Sequence, residues 1–404
     1  MKDILNYKNY SYNNFSYLHG MTAYLAMFPP NIPNYLINNF SQIGDLILDP
    51  FSGRGTTPFE ACRNGRIGIG NDLNPLAFCL TKSKINLPKI SNILKRISLL
   101  KNLYYEQEEY YINSVNLIAE DIKMLYEETT TLPQLFFLKN TLNRHRKVDN
   151  FILAVLTGIM HGKHRKDGTS IYCSIDMPNT FSMSPNYIKK FIETHRLQKI
   201  KQNVFDLLAD RVNKLFRIKN YGESRMNEYS KGYCFNKDAI ECSNAILKKY
   251  GKNSIQLIVT SPPYLKNINY GKYNWIRLWL LNEDVKKVDT DVSIYHQAQK
   301  IRGIKDNLPF KQYAIYMQNL FNSWYDILKL GSYAFVVIGD VEKQNLANDT
   351  WNFIENNGGC KLKYIDIIAD NIEEKCLKKV TRIWGKKSGK ATKIDRILIL
   401  KKEI

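Results

Sequence analysis

Three stretches of the chain combine residue types that do chemistry together. The first is Asp49-Pro50-Phe51-Ser52-Gly53-Arg54-Gly55-Thr56-Thr57, a carboxylate followed by a glycine-rich turn and two hydroxyls. Gly53 and Gly55 let the backbone turn tightly and approach a ligand, and a turn leading into a helix presents free N–H groups. The second is Asp72, which ends the run Arg66-Ile67-Gly68-Ile69-Gly70-Asn71. It lies about 20 residues past the glycine loop, the separation at which a nucleotide-binding fold sets an acid on ribose hydroxyls. The competing reading of Asp72 is an Asp that caps a helix after a strand. The third is Ser261-Pro262-Pro263-Tyr264, a rigid turn directly after Leu257-Ile258-Val259-Thr260. The first stretch reads as a cofactor loop, the third as the loop that holds the group being modified.

The elements that must position these residues follow from the pattern. Leu46–Leu48, Ile67–Gly70 and Ser254–Thr260 are apolar runs that stop abruptly in turn chemistry, as buried parallel strands do. Thr56 and Thr57 open a helix through Cys62, and a further helix is expected from Pro33 through Ile37. Tyr233 to Ala239 resumes the strand–helix rhythm, Phe321 to Leu330 reads as an amphipathic helix ended by Gly331, and Tyr333 to Asp340 as another buried strand. Tyr364–Ala369 and Ile394–Leu400 look like two closing strands, with Lys386–Lys393 a mobile basic loop between them. An α/β fold follows, with its ligands outside the C-terminal ends of the strands.

Between these halves the chain changes character. We divide it into residues 1–86, a cofactor-binding half, 87–231, a helical and basic insertion, and 232–404, a catalytic half. Residues 90–128 read as helical, Phe151–Met160 as a short buried helix, Ser184-Pro185 as a helix start and Val204–Phe216 as an amphipathic helix. Lys163, His164, Arg165 and Lys166 form a dense basic turn, read either as solvated surface or as a contact to phosphates and bases. His161 and His164 with Cys173 match no zinc spacing and lack a fourth ligand, so no metal is expected.

With 58 Lys and Arg against 38 Asp and Glu, the formal charge is +20, which favours a polyanionic partner and says nothing about fold. Seven scattered cysteines without a C-x-x-C point to free thiols in a reducing compartment. No apolar run approaches membrane-spanning length and the N-terminus has no signal-like region, so a cytoplasmic protein with no membrane partner is expected.

At Ser261-Pro262-Pro263-Tyr264 the chain resembles the amino-methylating DNA methyltransferases, whose catalytic tetrapeptide is Asp/Asn/Ser-Pro-Pro-Tyr/Phe. The stretch Asp49–Thr57 looks like their first cofactor motif, Asp72-Leu73-Asn74-Pro75 like the ribose acid, and Asp238-Ala239 like the acid near the adenine. His19 to Pro30, with His19 and Thr22, resembles the segment covering the methionine end, and Met177-Pro178-Asn179-Thr180-Phe181 a subgroup of these enzymes.

The resemblance implies a Rossmann-like class I methyltransferase sheet, mostly parallel with a closing antiparallel strand. It implies S-adenosylmethionine as cofactor, double-stranded DNA as substrate and a possible cognate restriction endonuclease as partner; the oligomeric state stays open. Ser at the head of the tetrapeptide resembles the cytosine-N4 class, whereas Asp or Asn there goes with adenine-N6. No cysteine follows a proline, which excludes the Pro-Cys nucleophile of cytosine C5 methylation.

The expected chemistry is local. An exocyclic amine is a poor nucleophile, and acceptors aimed at its hydrogens localise its lone pair. Ser261 Oγ and the Pro262 carbonyl are expected in that role, stiffened by Pro263, with Tyr264 stacking on a flipped base. The alternatives are an adenine-N6 enzyme, an RNA amino-methyltransferase, or a non-catalytic nucleic-acid binder; the last has no use for Asp49, Gly53, Gly55 and Asp72.

Overall fold

Apolar residues bury both faces of every central strand, which is why the strands read as continuous runs. The computed structural model describes residues 2–10, 15–24, 27–178, 183–217, 232–263, 269–292, 309–340, 345–371 and 394–403. The chain begins with 3-10 turns and helix α1 (Asn31–Phe40), then builds β1 (Leu46–Asp49), α2 (Thr56–Arg63), β2 (Ile67–Asn71) and α3 (Pro75–Ile85). Asn74 caps α3 by accepting from the Leu76 amide, and Pro75 fills its first turn.

A helical stretch follows: α4 (Ile90–Tyr105), α5 (Glu108–Asn113), α6 (Glu120–Lys123), α7 (Thr131–Thr141), α8 (Lys147–Ile159), α9 (Pro185–His195) and α10 (Val204–Leu215). Ser184 and Asn203 cap α9 and α10 through their side-chain oxygens. The sheet resumes with β3 (Tyr233–Phe235), α11 (Ala239–Tyr250) and β4 (Ile255–Thr260). Then come α12 (Tyr270–Tyr273), α13 (Trp275–Leu280), α14 (Val285–Val292), α15 (Pro309–Trp324), β5 (Leu328–Gly339), α16 (Leu346–Asn356), β6 (Lys363–Asn371) and β7 (Ile394–Lys401).

The seven strands form one sheet in the order β3-β2-β1-β4-β5-β7-β6. The first five are parallel, and β7 inserts antiparallel between β5 and β6. This is the class I methyltransferase sheet with its reversed strand. The order changes direction between β1 and β4, the switch point where ligands bind in such sheets. Ile47, Leu257, Phe335 and Ile397 pack on one face against α1, while Leu48, Ile258, Val336 and Leu398 pack on the other against α11, α15 and α16.

The third core joins α3, α4, α7, α8, α10 and α13, so the described helices between β2 and β3 share packing with α13 beyond β4. Helix α7, built on buried Leu132, Leu135, Phe137 and Leu138, was not anticipated from the sequence.

One element differs from expectation. The helix expected over Phe321–Leu330 stops at Trp324, and strand β5 begins at Leu328. Gly331, at φ +79°, donates its amide to the Lys402 carbonyl at 2.9 Å within the strand and does not cap a helix. The β4–β5 register shifts across this stretch, so Gly331 serves a bulge. The expected loop at Lys386–Lys393 and the residues Asn179, Thr180 and Phe181 lie outside the described residues.

Candidate active site

The C-terminal ends of β1 and β4 lie side by side, with Leu48 in register with Ile258. At those ends Thr260 Oγ1 donates to Asp49 Oδ1 at 2.6 Å, and the Phe51 amide donates to the same oxygen at 3.1 Å. Asp49 is 2% exposed. Burial pushes its carboxyl up to about 7, against the opposing effect of the Thr260 and Thr57 hydroxyls and the Phe51 amide. None of those partners is a cation.

The loop after Asp49 has the backbone its glycines require. Gly53 and Gly55 adopt φ +50° and +80°. A Cβ on Gly55 would lie 2.8 Å from Thr81 Cα, main chain that cannot move aside. Helix α3 holds the loop from beneath: Thr81 Oγ1 pairs with Ser52 Oγ at 3.0 Å, and Lys84 Nζ donates to the Arg54 carbonyl at 2.6 Å. Lys84 is buried, and desolvation holds its amine well below the ordinary lysine range. Arg54 in turn donates to the His19 carbonyl at 2.9 Å.

Asp72 follows β2 beside this loop. Its Oδ2 accepts from the Gly53 amide at 2.8 Å and its Oδ1 from the Asn74 amide at 2.9 Å. Desolvation raises its carboxyl to about 6 although these amides oppose the shift. The carboxylate expected on ribose hydroxyls thus holds the glycine loop through the Gly53 amide.

A solvent-open cleft lies at this edge, lined by Asp49, Gly53 and Thr56 from the first loop, by Ser261 from the second, and by Tyr24 and Phe28. Phe51, Ser52 and Arg54 complete the first-loop side. Thr56 Oγ1 is buried there with no hydrogen-bond partner among the described residues. Pro262 is buried and Pro263 half-buried; Tyr264 lies outside the described residues. Tyr24 stacks on Tyr270 with ring centroids 6.2 Å apart, and its hydroxyl accepts from Asn74 Nδ2 at 3.0 Å.

Arg277 fixes this aromatic wall to the helical stretch. Its guanidinium donates to the carbonyls of Thr157 (3.1 Å) and Ala23 (2.9 Å), and burial lowers it to about 10.

Three of the expected cofactor residues, His19, Thr22 and Asp238, do not line the cleft. His19 and Thr22 were read as cofactor contacts, but both are buried behind the cleft. His19 Nε2 is 2.6 Å from Glu60 Oε1, and burial lowers its imidazole to about 4. Glu60 also pairs with Arg63 and accepts from Asn34, so His19 anchors its segment to α1 and α2. Thr22 Oγ1 donates to the Ala154 carbonyl on α8. Asp238 stands just past the end of β3, where its Oδ1 caps α11 through the Ile240 amide and its Oδ2 accepts from Tyr316 Oη at 2.9 Å.

In the basic turn, Lys163, Arg165 and Lys166 are exposed. His164 is not a free contact. Its amide donates to Asp176, and its ring Nε2 meets the Ser174 carbonyl at 2.9 Å. None of the four lines the cleft. Among the described residues no group of His, Cys, Asp and Glu is arranged to hold a metal ion, and no helix is long and apolar enough to cross a membrane.

A family model described as DNA methylase, of the N6/N4 methyltransferase type, matches residues 1–82. The type II methyltransferase M.BsoBI of Geobacillus stearothermophilus is 25% identical over 332 residues, 78% of this chain and 61% of its own length. M.MthZI of Methanothermobacter thermautotrophicus is 35% identical over 113 residues, 26% of this chain and 32% of its own. The chain is similar to amino-methylating DNA methyltransferases of the N4/N6 kind.

A third relative, the type II methyltransferase M.MvaI of Kocuria varians, is 23% identical over 292 residues, 68% of this chain and 59% of its own length. The chain thus spans less than two thirds of the length of each of these relatives. Methyltransferases of this family take their methyl group from S-adenosylmethionine.

The cleft suits that cofactor. Its lining offers the desolvated Asp49 carboxylate, the buried Thr56 hydroxyl without a partner among the described residues, and the Gly53 turn, whose amide Asp72 holds. Sequence reasoning missed Tyr24, Thr81, Lys84, Thr260 and Arg277. Only Thr260 carried a signal, a polar β-branched residue closing an otherwise apolar strand.

Proposed function

We propose that this chain methylates DNA, moving a methyl group from S-adenosylmethionine to the exocyclic N4 amine of cytosine in a double-stranded site. The observation that carries this reading is a cleft lined by Asp49, Gly53 and Thr56 on one side and Ser261 on the other. S-adenosylmethionine, when bound, supplies an electrophilic methyl on a sulfonium sulfur.

In this reading Asp72 and Asp49 hold the cofactor, and Thr56 and the amides at the start of α2 add donors. Ser261 Oγ and the Pro262 carbonyl accept the amine hydrogens and turn its lone pair toward the cleft. Positioning of this sort supplies much of the rate, so no strong base is required before attack. Tyr264 stacks on the extruded base. Ser261, a neutral acceptor where adenine-N6 enzymes carry Asp or Asn, favours cytosine; adenine-N6 is the alternative.

Residues 87–231 serve as the DNA-recognition region, with Lys163, Arg165 and Lys166 available to phosphates. The chain is read as the modification half of a restriction–modification pair, with a cognate endonuclease as partner.

Ser261→Ala tests the reading. It should bind S-adenosylhomocysteine like the wild type by calorimetry. It should transfer tritiated methyl to unmodified phage DNA more slowly by on the order of 10²-fold, the scale of losing one transition-state hydrogen bond. Unchanged transfer by a folded variant would remove Ser261 from the chemistry.

A further inference from the structure

We infer that Thr260 is a positioning residue whose hydroxyl couples the cofactor loop to the catalytic loop, an inference that rests on the function proposed above. The geometry is a bridge. Thr260 Oγ1 and the Phe51 amide both donate to Asp49 Oδ1, at 2.6 and 3.1 Å. One carboxylate oxygen therefore takes a bond from the cofactor loop and one from the end of β4, and the next residue along the chain from β4 is Ser261, which lines the same cleft as Asp49.

The strand itself does not need this hydroxyl. Thr260 is fully buried and pairs in register with Val336 of β5, where a valine would fill the same β-branched space. The carboxylate does need it. Asp49 is desolvated, its hydrogen bonds come from the Thr260 hydroxyl and the Phe51 amide, and removing a donor leaves a buried charge less satisfied. A buried acid held in this way costs stability in the free protein, which is the signature of a group kept for a ligand. Because the same bond fixes the residue before Ser261, occupation of the cofactor side and aim of the catalytic side are set by one contact.

The test uses Thr260→Val and Thr260→Ser with the full chain. Thermal unfolding checks that both fold, and Thr260→Ala replaces the valine variant if that one does not. Two quantities are read: S-adenosylhomocysteine affinity by calorimetry, and single-turnover methyl transfer to unmodified phage DNA at saturating S-adenosylmethionine. Thr260→Val should weaken affinity and slow transfer, each by roughly tenfold or more, the range of one hydrogen bond to a charged group. Thr260→Ser should restore both. In an Asp49→Ala background, Thr260→Val should have no further effect on affinity.

A merely structural threonine would lower the melting temperature and leave both readouts of the folded variant at wild-type values, and that result overturns the coupling. Loss of one readout with the other intact overturns it as well. If the wild type neither binds S-adenosylhomocysteine nor transfers methyl, the reading of the site itself falls and the inference with it.

Discussion

Replacing Asp49 by Asn should stabilise the cofactor-free protein while weakening its hold on the cofactor. The side chain is 2% exposed and its carboxyl is raised from 3.8 to about 7. Each unit of that rise costs about 1.4 kcal/mol once the group is ionised, so ionisation inside the fold costs on the order of 4 kcal/mol. The sign follows from the direction. The unfolded chain loses this proton first, so the contribution is fully present below about pH 4 and disappears as pH rises to about 7.

Asparagine removes the charge and keeps a carbonyl at Oδ1, where both the Thr260 hydroxyl and the Phe51 amide donate. Its new amide must find an acceptor, which offsets about 1–3 kcal/mol of the gain. In denaturant unfolding Asp49→Asn should therefore be less stable than the wild type by about 1–3 kcal/mol near pH 4 and more stable by about 1–3 kcal/mol above pH 7. Other titrating groups cancel in the difference. S-adenosylmethionine affinity of the variant should fall roughly tenfold or more. Parallel stability curves across the range would refute the desolvated carboxylate.

The remaining predictions concern ligand binding. Asp72→Ala should weaken S-adenosylmethionine binding by about 1.5–3 kcal/mol in calorimetry, through missing charged hydrogen bonds and a loosened Gly53 amide; unchanged affinity in a folded variant would exclude the ribose role. Lys163→Ala with Arg165→Ala should reduce the dependence of DNA affinity on salt by about one unit of log–log slope for each phosphate no longer neutralised, and an unaltered slope would leave the turn as solvated surface.

The sheet was legible because parallel strands buried on both faces leave unbroken apolar runs, and because Asp49, Gly53 and Gly55 punctuate the first of them. Tertiary partners were not. Lys84 reads as a solvent cation in the sequence, yet the fold buries its amine on the Arg54 carbonyl, and no local pattern announces that. His19 and Thr22 carried the right residue types for ligand contacts; their burial depends on Glu60 and on α8, far away in the chain. The α15–β5 boundary was misplaced because Ile327, Leu328 and Leu330 fit a helical face as well as a strand, and the register shift at Gly331 decides between them.

The central claim is a methyl group delivered to an exocyclic amine beside Ser261. Methylated DNA recovered from cells expressing the protein, digested to nucleosides and separated by mass spectrometry, tests it most directly. N4-methylcytosine is the expected product, absent from cells expressing Ser261→Ala. N6-methyladenine alone would contradict the base assignment, and 5-methylcytosine would contradict the mechanism.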